Sequence, residues 1–256
     1  MARTNPHQLQ RERSLILGVL LSLAAIAWML LIWQAVRMNS QAMGLTMGMS
    51  ATPFVALWVV MMVAMMFPTA APMILTFRAV SAGKQQQKHS FIPTWIFVSA
   101  YLLVWSLSGV LAYALALAAE MLAAQSMWLM VNAVRFGGII LVVAGLYQLS
   151  PLKHICLSKC RMPLQCILAT WRAGYNGAFR MGLEHSAFCL GCCWLLFAIL
   201  FPLGIMNITA MALVTVLIYA EKSLPLGRQI SQLVGGGLIA YGILVILWPA
   251  LLPMRL

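Results

Sequence analysis

The sequence predicts an all-α fold: a polytopic helical membrane bundle of about seven transmembrane helices, with its N-terminus inside. Three observations carry this. The 256 residues are 63% hydrophobic and only 8% charged, with a mean hydropathy of +0.95, so the solvent they suit is lipid rather than water. Apolar runs approaching the roughly 20 residues that cross a bilayer recur along the chain. Of the 16 Lys and Arg, only Arg37, Arg135 and Arg255 fall on the side that alternating spans make external, and the other 13 fall inside. That bias is the positive-inside signature. A net charge of +12 would also suit a nucleic-acid partner. Here, however, the basic residues sit in short segments between apolar runs, where they orient the chain and touch anionic lipid headgroups. The expected organisation is a cytoplasmic basic tail, 1–13, and one membrane domain, 14–256, in a cytoplasmic (inner) membrane.

The first span, about 14–36, is longer than a signal-peptide core and lacks a small-residue cleavage site, so it is read as a retained helix. The external segment after it, RMNSQAMGLTMGMS (37–50), carries Met38, Met43, Met47 and Met49. It reads either as a collector of Cu(I) through thioethers, which need no deprotonation, or as an interfacial apolar patch. The second span, about 52–75, sets Met62, Met66 and Met73 at steps of four and seven on one face, with Pro68 and Pro72 loosening its inner half. An inner loop with Arg78, Lys84, Lys88 and His89 leads to the third span, about 91–119, and a turn carrying Glu120. The fourth, about 128–149, has Asn132 and Arg135 near its outer end; Arg135 is expected to snorkel outward or pair with Glu120.

The most basic loop, 150–181, opens SPLKHICLSKC and so brings His154, Cys156 and Cys160 within seven positions; Cys166 follows. Such thiols facing the cytoplasm are expected to stay reduced. The fifth span, about 185–203, enters from the same side. The sixth, about 205–221, is short for a full crossing, with Asn207, Met211, Val214, Ile218 and Glu221 along one stripe. The seventh, about 230–252, contains Gly235 to Gly237, which permits close helix approach.

The chemically densest stretch is GLEHSAFCLGCCW, 182–194. At about 100° per residue, His185, Cys189, Cys192 and Cys193 fall within roughly a quarter of a helix circumference and can converge on one object. Thiolate and imidazole suit Cu(I) and Zn(II), whereas hard cations would find only Glu184 here. Both clusters lie at the inner face, so His154, Cys156 and Cys160 are expected to approach the helical one. The candidate metal ligands are thus His185, Cys189, Cys192, Cys193, His154, Cys156, Cys160, Met62, Met66 and Glu184. Met is a poor Zn(II) ligand and a good Cu(I) ligand, which favours Cu(I) over Zn(II). A single Cu(I) on two thiolates would leave a charge of minus one, which nearby Arg180 or Lys222 could offset.

MMVAMMFPTAAPM (61–73), SPLKHICLSKC (150–160), GLEHSAFCLGCCW (182–194), GIMNITAM (204–211) and EKSLPLG (221–227) together resemble a bacterial family of predicted metal-binding integral membrane proteins. The resemblance covers most of the chain after the first helix and implies metal binding, with relatives that assist copper delivery to secreted or membrane copper enzymes. Ala210 stands where the family pattern has an aromatic before the second Met of the Met-Asn motif.

The leading reading is therefore a copper chaperone or assembly factor that binds and transfers Cu(I). Its partners would be membrane lipid and a copper enzyme or soluble copper carrier. Two alternatives stay open. One is a membrane thiol/quinone redox protein using Cys189 and Cys192. The other is a metal transporter, whose marker would be matched broken helices in two halves. No catalytic residue and no organic cofactor is assigned.

Overall fold

The computed structural model describes residues 6–37, 44–88 and 94–251, and their regular structure is helical throughout. Arg3, Met38, Met43, His89 and Arg255 lie outside the described residues. The helices are α1 (Pro6–Arg37), α2 (Ala51–Lys88), α3 (Thr94–Gln125), α4 (Met127–Val131), α5 (Ala133–Leu149) and α6 (Pro151–Arg161). They continue with α7 (Pro163–Ala169), α8 (Gly174–Ala198), α9 (Leu200–Leu203), α10 (Ile208–Ser223) and α11 (Gly227–Leu247).

Among the described residues, five stretches are long and apolar enough to cross a membrane: Gln10–Arg37, Ala51–Gly83, Thr94–Gln125, Gly174–Leu203 and Gly227–Leu247. A sixth exists if α5 and α6, bent by 63° at their junction, form one broken span. The stretch expected to supply a seventh is α10, only 16 residues long. Several expected boundaries also move: α2 continues to Lys88, so Arg78, Lys84 and Lys88 are on helix rather than in an inner loop, and α3 continues to Gln125, past Glu120. The polar start GYNGAFR is already helical, so α8 begins at Gly174 rather than at 185. Much of the basic segment 150–181 is α6 and α7 rather than loop.

The apolar windows of α2 and α8 are 61% and 56% buried, against 22% for α1, α3 and α11. The two helices that hold the Met and Cys motifs are thus central, and the others wrap them with exposed apolar faces such as Leu107, Leu111 and Leu115 on α3. Trp58 of α2 meets Phe197 of α8, while Met73 and His185 border one cavity. The two helices therefore run antiparallel, with Met62 and Met66 at the height of Cys189 to Cys193.

Pro68 does not break α2. Its ring leaves the carbonyl four residues earlier without a helical donor, and that carbonyl, on Ala64, accepts instead from Trp28 Nε1 of α1 at 3.2 Å. This is the repair by a neighbouring helix that an apolar environment requires. α5 and α11 meet along a glycine seam. A Cβ on Gly145 would lie 2.6 Å from the Gly235 carbonyl, and one on Gly138 would lie 2.9 Å from that of Gly242. Of the Gly235–Gly237 run only Gly235 makes this approach; Gly236 and Gly237 face open space.

That seam makes α11 antiparallel to α5. α10 consequently returns from the end of the bundle holding Met47, Met61 and Met206 to the end holding Glu221 and Lys153. Its buried stripe is Ala210, Met211, Val214, Ile218 and Glu221, while Asn207 caps it by accepting from the Ala210 N–H. Arg135 does not pair with Glu120: it donates to Asn132 Oδ1 at 2.8 Å. Glu120 instead accepts from the backbone and hydroxyl of Thr46, at 2.7 and 2.8 Å. That contact holds the described part of the Met-rich segment against the bundle.

Candidate metal centre

Close approach of α3 to α8 fixes the back of the site. A Cβ on Gly182 would meet the Phe97 carbonyl at 2.6 Å, so only glycine lets the helices sit this near. As a result the Tyr101 hydroxyl reaches Cys189 Sγ at 3.3 Å. One face of α8 then buries Cys189, Cys192 and Cys193, each no more than 2% exposed.

The front of the site comes from α6. Ser150 caps α6 through the Lys153 N–H, and Pro151 occupies its first turn. Lys153, which the sequence placed in a loop, is fully buried and donates to Glu221 Oε2 at 2.7 Å. Gln148 Nε2 donates to the other carboxylate oxygen at 2.9 Å, and the Ser231 hydroxyl donates to the Gln148 carbonyl at 3.0 Å. A buried pair is tolerated where hydrogen bonds satisfy its remaining atoms. This one ties α5, α6, α10 and α11 together and seats α6 on α8.

So seated, α6 brings Cys160 Sγ to 4.0 Å from Cys192 Sγ, which is itself 3.2 Å from Cys193 Sγ. Cys156 packs its sulfur where a Cβ on Gly191 would stand, and Tyr147 donates to the Gly191 carbonyl. All six cysteines are free thiols. From α10, Lys222 Nζ donates to Cys189 Sγ at 3.1 Å. The ammonium places a positive charge beside that sulfur within the apolar core. Arg180 does not serve in this way, because together with Arg172 it pairs with Glu184, at 3.6 and 3.3 Å.

The sequence-derived ligands thus divide. Cys160 joins Cys192 and Cys193, with Cys189 held beside them by Tyr101 and Lys222, and Cys156 lies at the edge. Met62 and Met66 are buried at the same height, 1% and 0% exposed. His154 is only partly buried, with Arg228, Lys153 and Glu221 as its charged neighbours. Glu184 is a partly exposed partner of two arginines.

His185 lies one turn before Cys189, but its ring stacks between Phe97 and Tyr101, with centroids at 5.9 and 6.0 Å. It borders a cavity of about 20 Å³ shared with Met73, Cys166 and Met181. Burial pushes the Cys166 thiol up, and Lys159 acts in the opposite direction. At the far end of the bundle Met47, Met61 and Met206 line a second cavity of about 10 Å³.

As the side chains stand, no group of three or more His, Cys, Asp or Glu among the described residues could hold a metal ion. Pairs are a different matter. A metal–sulfur bond is about 2.3 Å long, so one ion can touch two sulfurs up to about 4.6 Å apart. The 4.0 Å between Cys160 and Cys192 lies inside that reach. Tyr101 and Lys222 escaped the sequence reading as partners of Cys189 because both arrive from other helices, although Lys222 was marked as a nearby charge.

No curated protein and no solved structure matches the chain. The family model described as PpoB2, copper chaperone, matches residues 55–245, from α2 through α11 and therefore across every element of the thiol cluster. The chain belongs to the PpoB2 copper chaperone family.

Proposed function

We propose that this protein lies in the bacterial cytoplasmic membrane with its N-terminus inside, binds Cu(I) at the thiol cluster and passes it to a copper enzyme or soluble carrier. In this reading α10, running end to end, is the seventh crossing. The observation that carries the proposal is the meeting of Cys160 and Cys192 from two helices, with Cys193 adjoining and Lys222 on Cys189. Copper here is cargo, so its ligands must hold it and also release it. Thiolates bind Cu(I) tightly and thioethers exchange it readily. Met62 and Met66 stand at thiol height, and Met47, Met61 and Met206 bring three thioethers, among aromatic and aliphatic side chains, to the cavity at the other end.

Copper enters as a +1 ion and, on two thiolates, leaves a net charge of minus one. The Lys222 ammonium brings that total to zero, which limits the cost of charge in an apolar core. The transporter reading has one observation of its own, the 63° break between α5 and α6, which also delivers Cys156 and Cys160.

The test offers Cu(I) and Zn(II) together to reduced, detergent-purified protein. The expected result is retained copper, with a lower copper content when Cys189, Cys192 and Cys193 are all changed to Ser. Preferential retention of zinc would overturn the proposal.

A further inference from the structure

Both ring nitrogens of His185, Nδ1 and Nε2, are buried with no hydrogen-bond partner among the described residues, and the residue is 5% exposed. A buried imidazole without partners is rare, since such groups are hydrogen-bonded in the large majority of cases. Its stacking neighbours Phe97 and Tyr101 contribute ring faces, and the Tyr101 hydroxyl is already with Cys189. The remaining side of His185 borders the cavity of about 20 Å³.

Three of the residues that line that cavity with His185 carry sulfur, Met73, Met181 and Cys166, and the others are apolar or aromatic apart from Thr170 and Glu184. A single water would need two to four polar partners there. The oxygens available are engaged, as the Thr170 hydroxyl donates to the Cys166 carbonyl at 2.8 Å and Glu184 pairs with Arg172 and Arg180. What is left is one nitrogen ligand and soft sulfur, a set that selects Cu(I).

We propose that His185, Met73, Met181 and Cys166 form a second Cu(I) station, separate from the thiol cluster. The inference rests on the Cu(I) reading above and extends it from one site to two. Charge supports the placement. Cu(I) on one Cys166 thiolate with neutral imidazole and thioethers sums to zero, so this station needs no counterpart of Lys222. Its position sets a role. Cys166 sits on α7, outside the apolar spans and partly exposed, which gives the cavity access from the α6–α7 side. His185 precedes Cys189 by four residues, an axial rise of about 6 Å. An ion can therefore pass from this station to the thiols in one short step, and Met73 continues the stripe of Met62 and Met66 to the same cavity.

The experiment counts Cu(I) bound per chain by competition with a chromogenic Cu(I) chelator, anaerobically and under reductant. Wild type is expected to bind two ions. The variant Cys160→Ser/Cys189→Ser/Cys192→Ser/Cys193→Ser is expected to keep one, with nitrogen and sulfur both present in its copper X-ray absorption spectrum. Met73→Leu/Met181→Leu nearly conserves volume and so spares the fold; in the wild-type background it should lower the count from two to one. This double variant carries the test even if the four-cysteine variant fails to fold. A count that stays at two in the double variant, or a wild type that binds only one ion and loses it with the four cysteines, overturns the second station while leaving the copper reading intact. A wild type that binds no Cu(I) overturns both.

Discussion

Replacing Lys222 by Gln keeps a hydrogen-bond donor of similar reach beside Cys189 but removes its charge. In the structure the ammonium lies 3.1 Å from Cys189 Sγ. A hydrogen bond with a charged partner contributes about 1.5–3 kcal/mol, and about 1.4 kcal/mol corresponds to a factor of ten in affinity. Cu(I) should therefore bind the thiol cluster of Lys222→Gln roughly 10- to 100-fold more weakly. Lys222→Arg, which keeps the charge, should lose much less. The assay is a titration of reduced protein against a Cu(I) chelator of known affinity, at fixed pH. Affinity of the Gln variant within twofold of wild type would refute the role of Lys222 as the compensating charge.

Met62→Leu/Met66→Leu should leave copper capacity unchanged and slow copper release to a competing chelator several-fold, as stopped-flow absorbance would measure; an unchanged release rate removes these thioethers from the path. Glu221→Gln leaves Lys153 buried against a neutral partner and should destabilise the fold by about 3–5 kcal/mol, read as a large drop in thermal midpoint in detergent. Gly145→Ala pushes a methyl to 2.6 Å from the Gly235 carbonyl and should cost about 1–3 kcal/mol. Gly236→Ala, facing open space, should cost far less, so equal losses at the two positions would contradict the seam. Reporter fusions after Gln87 and after Met254 should report opposite sides of the membrane.

Much of the centre could be read from spacing. The face shared by Cys189, Cys192 and Cys193 follows from helical periodicity, and the approach of Cys160 follows from both segments starting at one end of the bundle. Periodicity assigns a face but not the neighbours of that face. It therefore grouped His185 with the cysteines but could not show that the ring stacks on Phe97 and Tyr101 of α3 and borders the cavity that Cys166, Met73 and Met181 also line. Hydropathy missed the helical start at Gly174–Arg180 and most of 151–169, because polar helices outside lipid leave no apolar run. Lys153 looked like a loop charge, since its partner Glu221 is 68 residues away. In the Gly235–Gly237 run the sequence marked the right place, and only the register with Gly145 on α5 selects Gly235.

Copper X-ray absorption on the reduced, Cu(I)-loaded protein with Met73→Leu/Met181→Leu, which isolates the thiol cluster, measures its ligand shell directly. The expected spectrum shows Cu(I) with two or three sulfur neighbours at roughly 2.3 Å and no nitrogen, and that signal should vanish when Cys189, Cys192 and Cys193 are changed to Ser. A first shell of nitrogen and oxygen, or copper retained unchanged without the three thiols, would contradict copper binding at this cluster.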